Sequence, residues 1–440
     1  MDRAINPKEQ SAGLPMPLVY ALSALPLFNC IANQLNNTLH PNIGPLSLLQ
    51  AINGPLLLLF VIALVWAYLK KASSLWSLPL PIPGVFLLIG IACTEELVRT
   101  GTLSMASLAP YGQLLYWVCL WGVVAVLCRQ PRQANILLRG LAIGAISTAF
   151  SVFLGFVLGV KQYYGADAVL SSAGWFDTAK MITGILITGG IVLIYLGRTR
   201  HTVLCALLAS FCFSACILTY ARAGWVAVGG VLAWLIIWAA LFASNRLKRR
   251  WLVPFFTLCL VAGAAIPAVV GVEQLMSRWT DVGQGEQAGS GRATFWKIAY
   301  DQYLDAPAAQ QAFGRGYSSM ADMLFREYGM DIRHTHNDLL DMLTVAGLCG
   351  AAWLLLLLAT LTRQVIRSSI GSIEGAASLA ILITYALHGQ LTGQLWGTDV
   401  MAYYTIALAC LYTNAREARK TSPVAIQQDT TPLIAMHATN

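Results

Sequence analysis

The sequence predicts an all-α polytopic integral membrane protein, with about twelve transmembrane helices and one long outer loop containing short helices. Three observations carry this expectation. Of the 440 residues, 57% are hydrophobic and only 11% charged, whereas a water-facing surface needs about 25% charged residues. The mean hydropathy is +0.64. Apolar stretches approaching the roughly 20 residues of a spanning helix recur along the whole chain. Together these features exclude a soluble globular domain, a disordered chain, a disulfide-stapled secreted scaffold and a large water-filled barrel.

The stretches lie near 16–34, 46–69, 82–98, 111–128, 136–159, 180–197, 202–220, 223–244, 252–272, 340–362, 372–389 and 395–413. The segment before the first is polar, and the first run lacks a small-residue cleavage site, so it reads as an uncleaved span. The apolar run 202–244 is too long for one span and is interrupted at Arg222, which predicts a tight reversal there. The expected organisation is therefore 1–272 (about nine spans), an outer loop or cap over 273–339, 340–413 (about three spans) and a polar tail over 414–440.

Orientation follows from where the 28 Lys and Arg residues fall, because loops facing the cytoplasm carry the excess of positive charge. With the N-terminus in the cytoplasm, the inner side holds eighteen of them and the outer side ten, six of those in the long loop. Both termini are then cytoplasmic. The net charge of +8 is a matter of topology, and no nucleic-acid partner is expected. All ten cysteines fall in apolar spans without a Cys-x-x-Cys spacing, so they read as small hydrophobes. No phosphate-binding Gly-x-x-x-x-Gly-Lys-Ser/Thr loop occurs and the inner loops are short. Any reaction must draw on an already activated substrate or a gradient.

The densest polar cluster is Arg333-His334-Thr335-His336-Asn337-Asp338, immediately before the apolar run Leu339 to Leu361. Asn337 or Asp338 is suited to cap the following helix, placing His336 at the mouth of a span beside a positive helix N-terminus. A neutral histidine there is a usable general base. If the helix extends back to His336, then Leu340 and Gly347 share its face, and Gly347 admits a close neighbour. Two other readings stand beside this one. In one, the histidines end a loop as ordinary interfacial residues; in the other, His334, His336, Asp338 and Asp341 supply metal ligands, although a third ligand on a defined element is missing. Three outer-side arginines accompany the histidines. Arg222 lies at the edge of hydrocarbon, where it must snorkel or pair with an anion. Arg292 opens a helical pattern with Phe295, Trp296, Ala299, Tyr303 and Leu304 on one face, suited to lie on the bilayer or cap a cavity. Arg315 sits in Phe313-Gly314-Arg315-Gly316-Tyr317, a turn whose amides suit an anion-binding concavity. Together the cations suit a phosphate-bearing lipid.

His336-Asn337, Leu340 and Gly347 form His-Asn-x-x-Leu-x-x-x-x-x-x-Gly, and Gly291-Arg292 with Trp296 forms Gly-Arg-x-x-x-Trp. With the turn of Arg222, Ala223 and Trp225, these motifs resemble those of the O-antigen ligase and O-antigen polymerase superfamily over roughly 200–390. The resemblance implies an inverting glycosyltransferase that needs no metal or other cofactor, working at the periplasmic face of a Gram-negative inner membrane. It implies a glycan on undecaprenyl pyrophosphate as donor and, for a ligase, a sugar hydroxyl of lipid A-core as acceptor. His336 is then the base, with Arg222, Arg292 and Arg315 on the pyrophosphate and His334, Asn337, Trp296 and Gly347 in support. His334, Asp331 and Asp338 remain alternative bases. A single long outer loop and a short tail favour the ligase over a polymerase or a protein O-oligosaccharyltransferase. From a different class, a lipid-linked glycan transporter would show polar or broken mid-membrane segments in both halves, whereas here the ionisable groups gather at one face.

Overall fold

The computed structural model describes residues 15–39, 42–43, 46–69, 81–102, 105–128, 130–158, 179–198, 201–219, 221–243, 256, 259, 292–328 and 334–420. It is an all-α bundle. The long helices are α1 (Met16–Leu39), α2 (Leu48–Leu69), α3 (Pro81–Thr100), α4 (Met105–Leu127), α5 (Pro131–Val157), α6 (Ala179–Leu196), α7 (Thr202–Leu218) and α8 (Arg222–Phe242). Short helices follow, α9 (Arg292–Leu304), α10 (Ala308–Phe313) and α11 (Tyr317–Tyr328), and then α12 (Asp338–Ser369), α13 (Ile373–Thr392) and α14 (Thr398–Lys420). The exception to helix is a two-residue antiparallel pair, β1 (Asn42–Ile43) with β2 (Leu46–Ser47).

Eleven of the twelve expected apolar stretches coincide with a long helix among the described residues. The remaining one, 252–272, lies outside them apart from Phe256 and Cys259. Among the described residues three helical segments, Pro131–Val157, Arg222–Phe242 and Asp338–Arg367, are long and apolar enough to cross a membrane. Such a helix satisfies its own backbone and needs no water to do so. The outward faces agree, since Leu58, Ile62 and Val65 on α2, Phe86 and Leu87 on α3, and Leu355 and Leu356 on α12 are exposed large apolar residues. α6 and α14 lie at the centre, with Ile187, Ile191, Tyr195, Ala407, Cys410 and Leu411 fully buried.

Two local features place the site. The reversal expected at Arg222 is present. α7 ends at Leu218 and α8 begins at Arg222, and the corner is closed by the Ala221 amide donating to Thr219 Oγ1 at 3.3 Å and Trp225 Nε1 donating to Ile217 O at 3.1 Å. α12, by contrast, is broken where an uninterrupted helix was expected. Gly347 sits at φ 65°, ψ −161°, a conformation closed to residues with a Cβ. A Cβ there would lie 2.5 Å from the carbonyl carbon and oxygen of Ala312 and the amide nitrogen of Gly314. The close approach expected at Gly347 thus exists, but its occupant is the backbone of the cap, not another spanning helix or a lipid chain.

Candidate active site

The last turn of α13 organises the site. The C-terminal carbonyls of a helix have no intrahelical partner, and here three consecutive ones accept from the residues singled out above. Gln390 O accepts from Asn337 Nδ2 at 3.1 Å, Leu391 O from an Arg292 guanidinium nitrogen, and Thr392 O from His336 Nδ1 at 3.2 Å. The positive guanidinium also suits the negative end of the helix dipole. Two motifs about forty residues apart in the sequence therefore meet on one helix end.

His336 is not helical. Asn337 is the N-cap of α12, its Oδ1 accepting from the Leu340 amide at 3.0 Å, and His336 lies before it at φ 60°. The expectation that His336, Leu340 and Gly347 share one helix face is corrected on two counts, since the helix starts at Asp338 and bends at Gly347. The left-handed backbone turns the ring of His336 back towards α13. Gly393 (φ +66°) packs beneath it, such that a Cβ would stand 3.1 Å from both His336 Cα and His334 Nδ1.

Hydrogen bonding separates the two histidines. A carbonyl only accepts, so Nδ1 of His336 carries the proton and Nε2 holds the lone pair of the neutral ring. His334 Nδ1 accepts from the His336 amide at 3.3 Å, so its lone pair is turned to the backbone. The rings meet edge to face with centroids 4.2 Å apart.

The loop between them is fixed from below. Asp341, fully buried, accepts through Oδ1 from the Thr335 amide (2.7 Å) and hydroxyl (2.6 Å), and through Oδ2 from Trp396 Nε1 (3.1 Å). Trp296 Nε1 donates to Thr335 O at 3.0 Å from the opposite side. Asp338, also fully buried, accepts from the Leu395 amide at 2.9 Å. These contacts count against the metal-ligand reading of this cluster. Both oxygens of Asp341 and Oδ1 of Asp338 meet structural donors inside the fold, and no group of three His, Cys, Asp or Glu placed to hold a metal ion occurs among the described residues.

Arg222 is half-buried at the first position of α8. α8 runs antiparallel to α13, since the Cβ position of Gly230 faces Leu387 and Ile383 and Trp234 Nε1 donates to Ala376 O. At 1.5 Å per residue the start of α8 lies about 12 Å beyond Gly230, level with the end of α13 that carries Leu391 and Thr392. The N-termini of α8, α12 and α14 all face this end, adding positive potential suited to an anion. Arg315 is held elsewhere. Its Nε donates to Gln310 Oε1 at 2.8 Å and an Nη to Gln302 Oε1 at 3.3 Å, beside a cavity of about 20 Å³ lined also by Thr344 and Ser319. The anion-binding concavity expected of its turn is not formed. The amides of Arg315 and Gly316 donate to Thr344 O and Val345 O at 3.0 Å each, satisfying carbonyls of the broken α12, and the Tyr317 amide donates to Tyr111 Oη at 2.9 Å.

In the short helix α9, Phe295 and Ala299 are buried while Leu304 is half exposed, so the expected apolar face is covered at one end only. The residues that sequence reasoning missed are Thr335, Thr392, Gly393 and Trp396. A Thr between two histidines and a Gly after an apolar run were visible, but nothing local marked them as partners.

Residues 205–355, about a third of the chain, match the family model described as O-Antigen ligase. This segment is similar to the O-antigen ligase family. The matched segment holds Arg222, Arg292, Arg315, both histidines and Gly347, and ends within α12. α13, whose carbonyls accept from His336, Asn337 and Arg292, lies beyond it. A comparison with curated proteins gives no match.

Proposed function

We propose that this chain is an O-antigen ligase, an inverting, metal-independent glycosyltransferase that moves a glycan from undecaprenyl pyrophosphate to a sugar hydroxyl of lipid A-core. The site faces the periplasm of a Gram-negative inner membrane, and both termini are cytoplasmic. The observation that supports this best is the convergence of His336 and Arg292 on the neighbouring carbonyls Thr392 O and Leu391 O, which sets a base and a cation side by side at one end of the bundle.

In this reading Nε2 of His336 takes the proton of the acceptor hydroxyl as its oxygen forms the new bond to the anomeric carbon. The bond from that carbon to the pyrophosphate oxygen breaks on the opposite face, the configuration inverts, and undecaprenyl pyrophosphate leaves. Arg292 and Arg222 neutralise the charge that grows on the leaving group, with Arg315 further out, holding the cap. Asn337, Trp296, His334 and Gly347 position the loop. The activated donor supplies the driving force.

The deciding experiment incubates purified protein with glycan-pyrophosphate lipid, with and without lipid A-core. Product that requires lipid A-core supports the ligase. Elongated donor lipid without acceptor would make the protein a polymerase, and no covalent product under either condition would favour a transporter.

A further inference from the structure

The end of the bundle away from the histidines carries a cavity that glycosyl transfer does not use. α14 links the two ends. It starts beside Trp396, and Asn414, about 24 Å further along its axis at 1.5 Å per residue, donates through Nδ2 to Asn135 Oδ1 at 3.1 Å. Asn135 lines a cavity of about 750 Å³ between α1 and α5. The two helices are in backbone contact beside it, because a Cβ on Gly140 would strike Ser23 O and one on Gly144 would lie 2.9 Å from Pro26 Cβ. This is the small-xxx-small seam of membrane helix pairs.

Arg132, Asn135 and Arg139 are spaced three, four and seven apart, so they share a face of α5, and all three line the cavity with no Asp or Glu among the lining residues. Neither guanidinium has a hydrogen-bond or ion-pair partner among the described residues. Arg139 lies two turns into a helix long and apolar enough to cross a membrane, where an unpaired cation is costly. Helical side chains lean towards the N-terminus, which brings its guanidinium towards the level of Arg132. Beyond Tyr20 and Ser23, whose hydroxyl donates to Tyr20 O at 2.8 Å, the rest of the wall is apolar, with Leu27, Ile136 and Ile143 continuing towards the bilayer interior. Two cations at headgroup depth above an apolar groove match one lipid chemistry, a phosphodiester anion carrying acyl chains.

We propose that this groove seats the headgroup of an acidic phospholipid between Arg132 and Arg139, with its acyl chains along Ile136 and Ile143. The test is native mass spectrometry of the full-length protein in detergent, titrated with phosphatidylglycerol, with phosphatidylcholine of the same chains, or with inorganic phosphate. The expected result is one retained phosphatidylglycerol, at least tenfold weaker retention of phosphatidylcholine, and no displacement by millimolar phosphate. Arg132→Gln/Arg139→Gln should weaken phosphatidylglycerol retention at least tenfold. Ala24→Phe, which fills the groove from the exposed face of α1 and keeps both charges, should do the same and decides the matter if the double variant does not fold. Equal retention of both lipids, undiminished retention in a folded variant, or displacement of the lipid by free phosphate would overturn the proposal.

Discussion

Gly393 gives the sharpest test of how the histidine loop is held. Alanine at φ +66° takes on the left-handed penalty of about 1–2 kcal/mol. Its Cβ would stand 3.1 Å from His336 Cα, 3.1 Å from His334 Nδ1 and 3.4 Å from the His336 carbonyl carbon, against an optimum of about 3.5–4.0 Å. Relieving three such contacts moves the loop by roughly 0.5 Å. Since about 1 Å of misplacement at a reacting group can cost 10²-fold, Gly393→Ala should lower kcat about tenfold and leave the donor KM nearly unchanged. Gly101→Ala is the control. Gly101 has φ +72° with nothing within 4 Å of its Cβ position, so it shares the strain without the contact. The assay is transfer rate per folded molecule, with thermal unfolding in detergent measured in parallel. Both variants should lose similar stability, and only Gly393→Ala should lose rate. Equal rates in the two would refute the packing of Gly393 against His336 as the feature that sets the rate.

Other substitutions should follow the same geometry. Gly347→Ala places a Cβ 2.5 Å from the Ala312 and Gly314 backbone, and should destabilise by at least about 3 kcal/mol, read as lost monodisperse protein on size-exclusion chromatography. Asp341→Asn turns an amide NH₂ or a rotated oxygen towards donors that now share one carboxylate, so at least one buried donor loses its acceptor. A loss of about 1–3 kcal/mol is expected, with a lower transfer rate, and unchanged thermal stability would show that Asp341 does not hold Thr335 and Trp396 in place. Arg292→Lys and Arg222→Lys keep the charge but lose the forked geometry for phosphate. Each should weaken donor binding about tenfold, and wild-type donor affinity in both would return them to structural roles.

The long helices were legible because each follows an apolar run of near-spanning length, and the α7–α8 corner because 202–244 cannot be one span. The cap was legible to within one residue, as Asn337 or Asp338, and the structure assigns it to Asn337, whose side chain accepts from the amide three residues on. The break at Gly347 was not, because it interrupts a continuous apolar run and depends on backbone from the cap some 35 residues earlier. Asp341 illustrates the same limit. In sequence it resembles a metal ligand beside two histidines, while in the fold it serves Thr335 and Trp396, the latter over fifty residues away. The motif residues were identified by type and spacing, but their meeting point, the carbonyls of Gln390, Leu391 and Thr392, carries no side-chain signature at all.

In the proposed mechanism His336 supplies the base. Asparagine accepts a left-handed backbone, so His336→Asn removes the imidazole and spares the φ of 60°. The decisive measurement is single-turnover transfer from glycan-pyrophosphate lipid to lipid A-core by folded His336→Asn protein, beside His334→Asn. The expected loss is about 10²–10⁴-fold for His336→Asn and much smaller for His334→Asn. Transfer by His336→Asn within a few-fold of wild type, with donor binding intact, would contradict it.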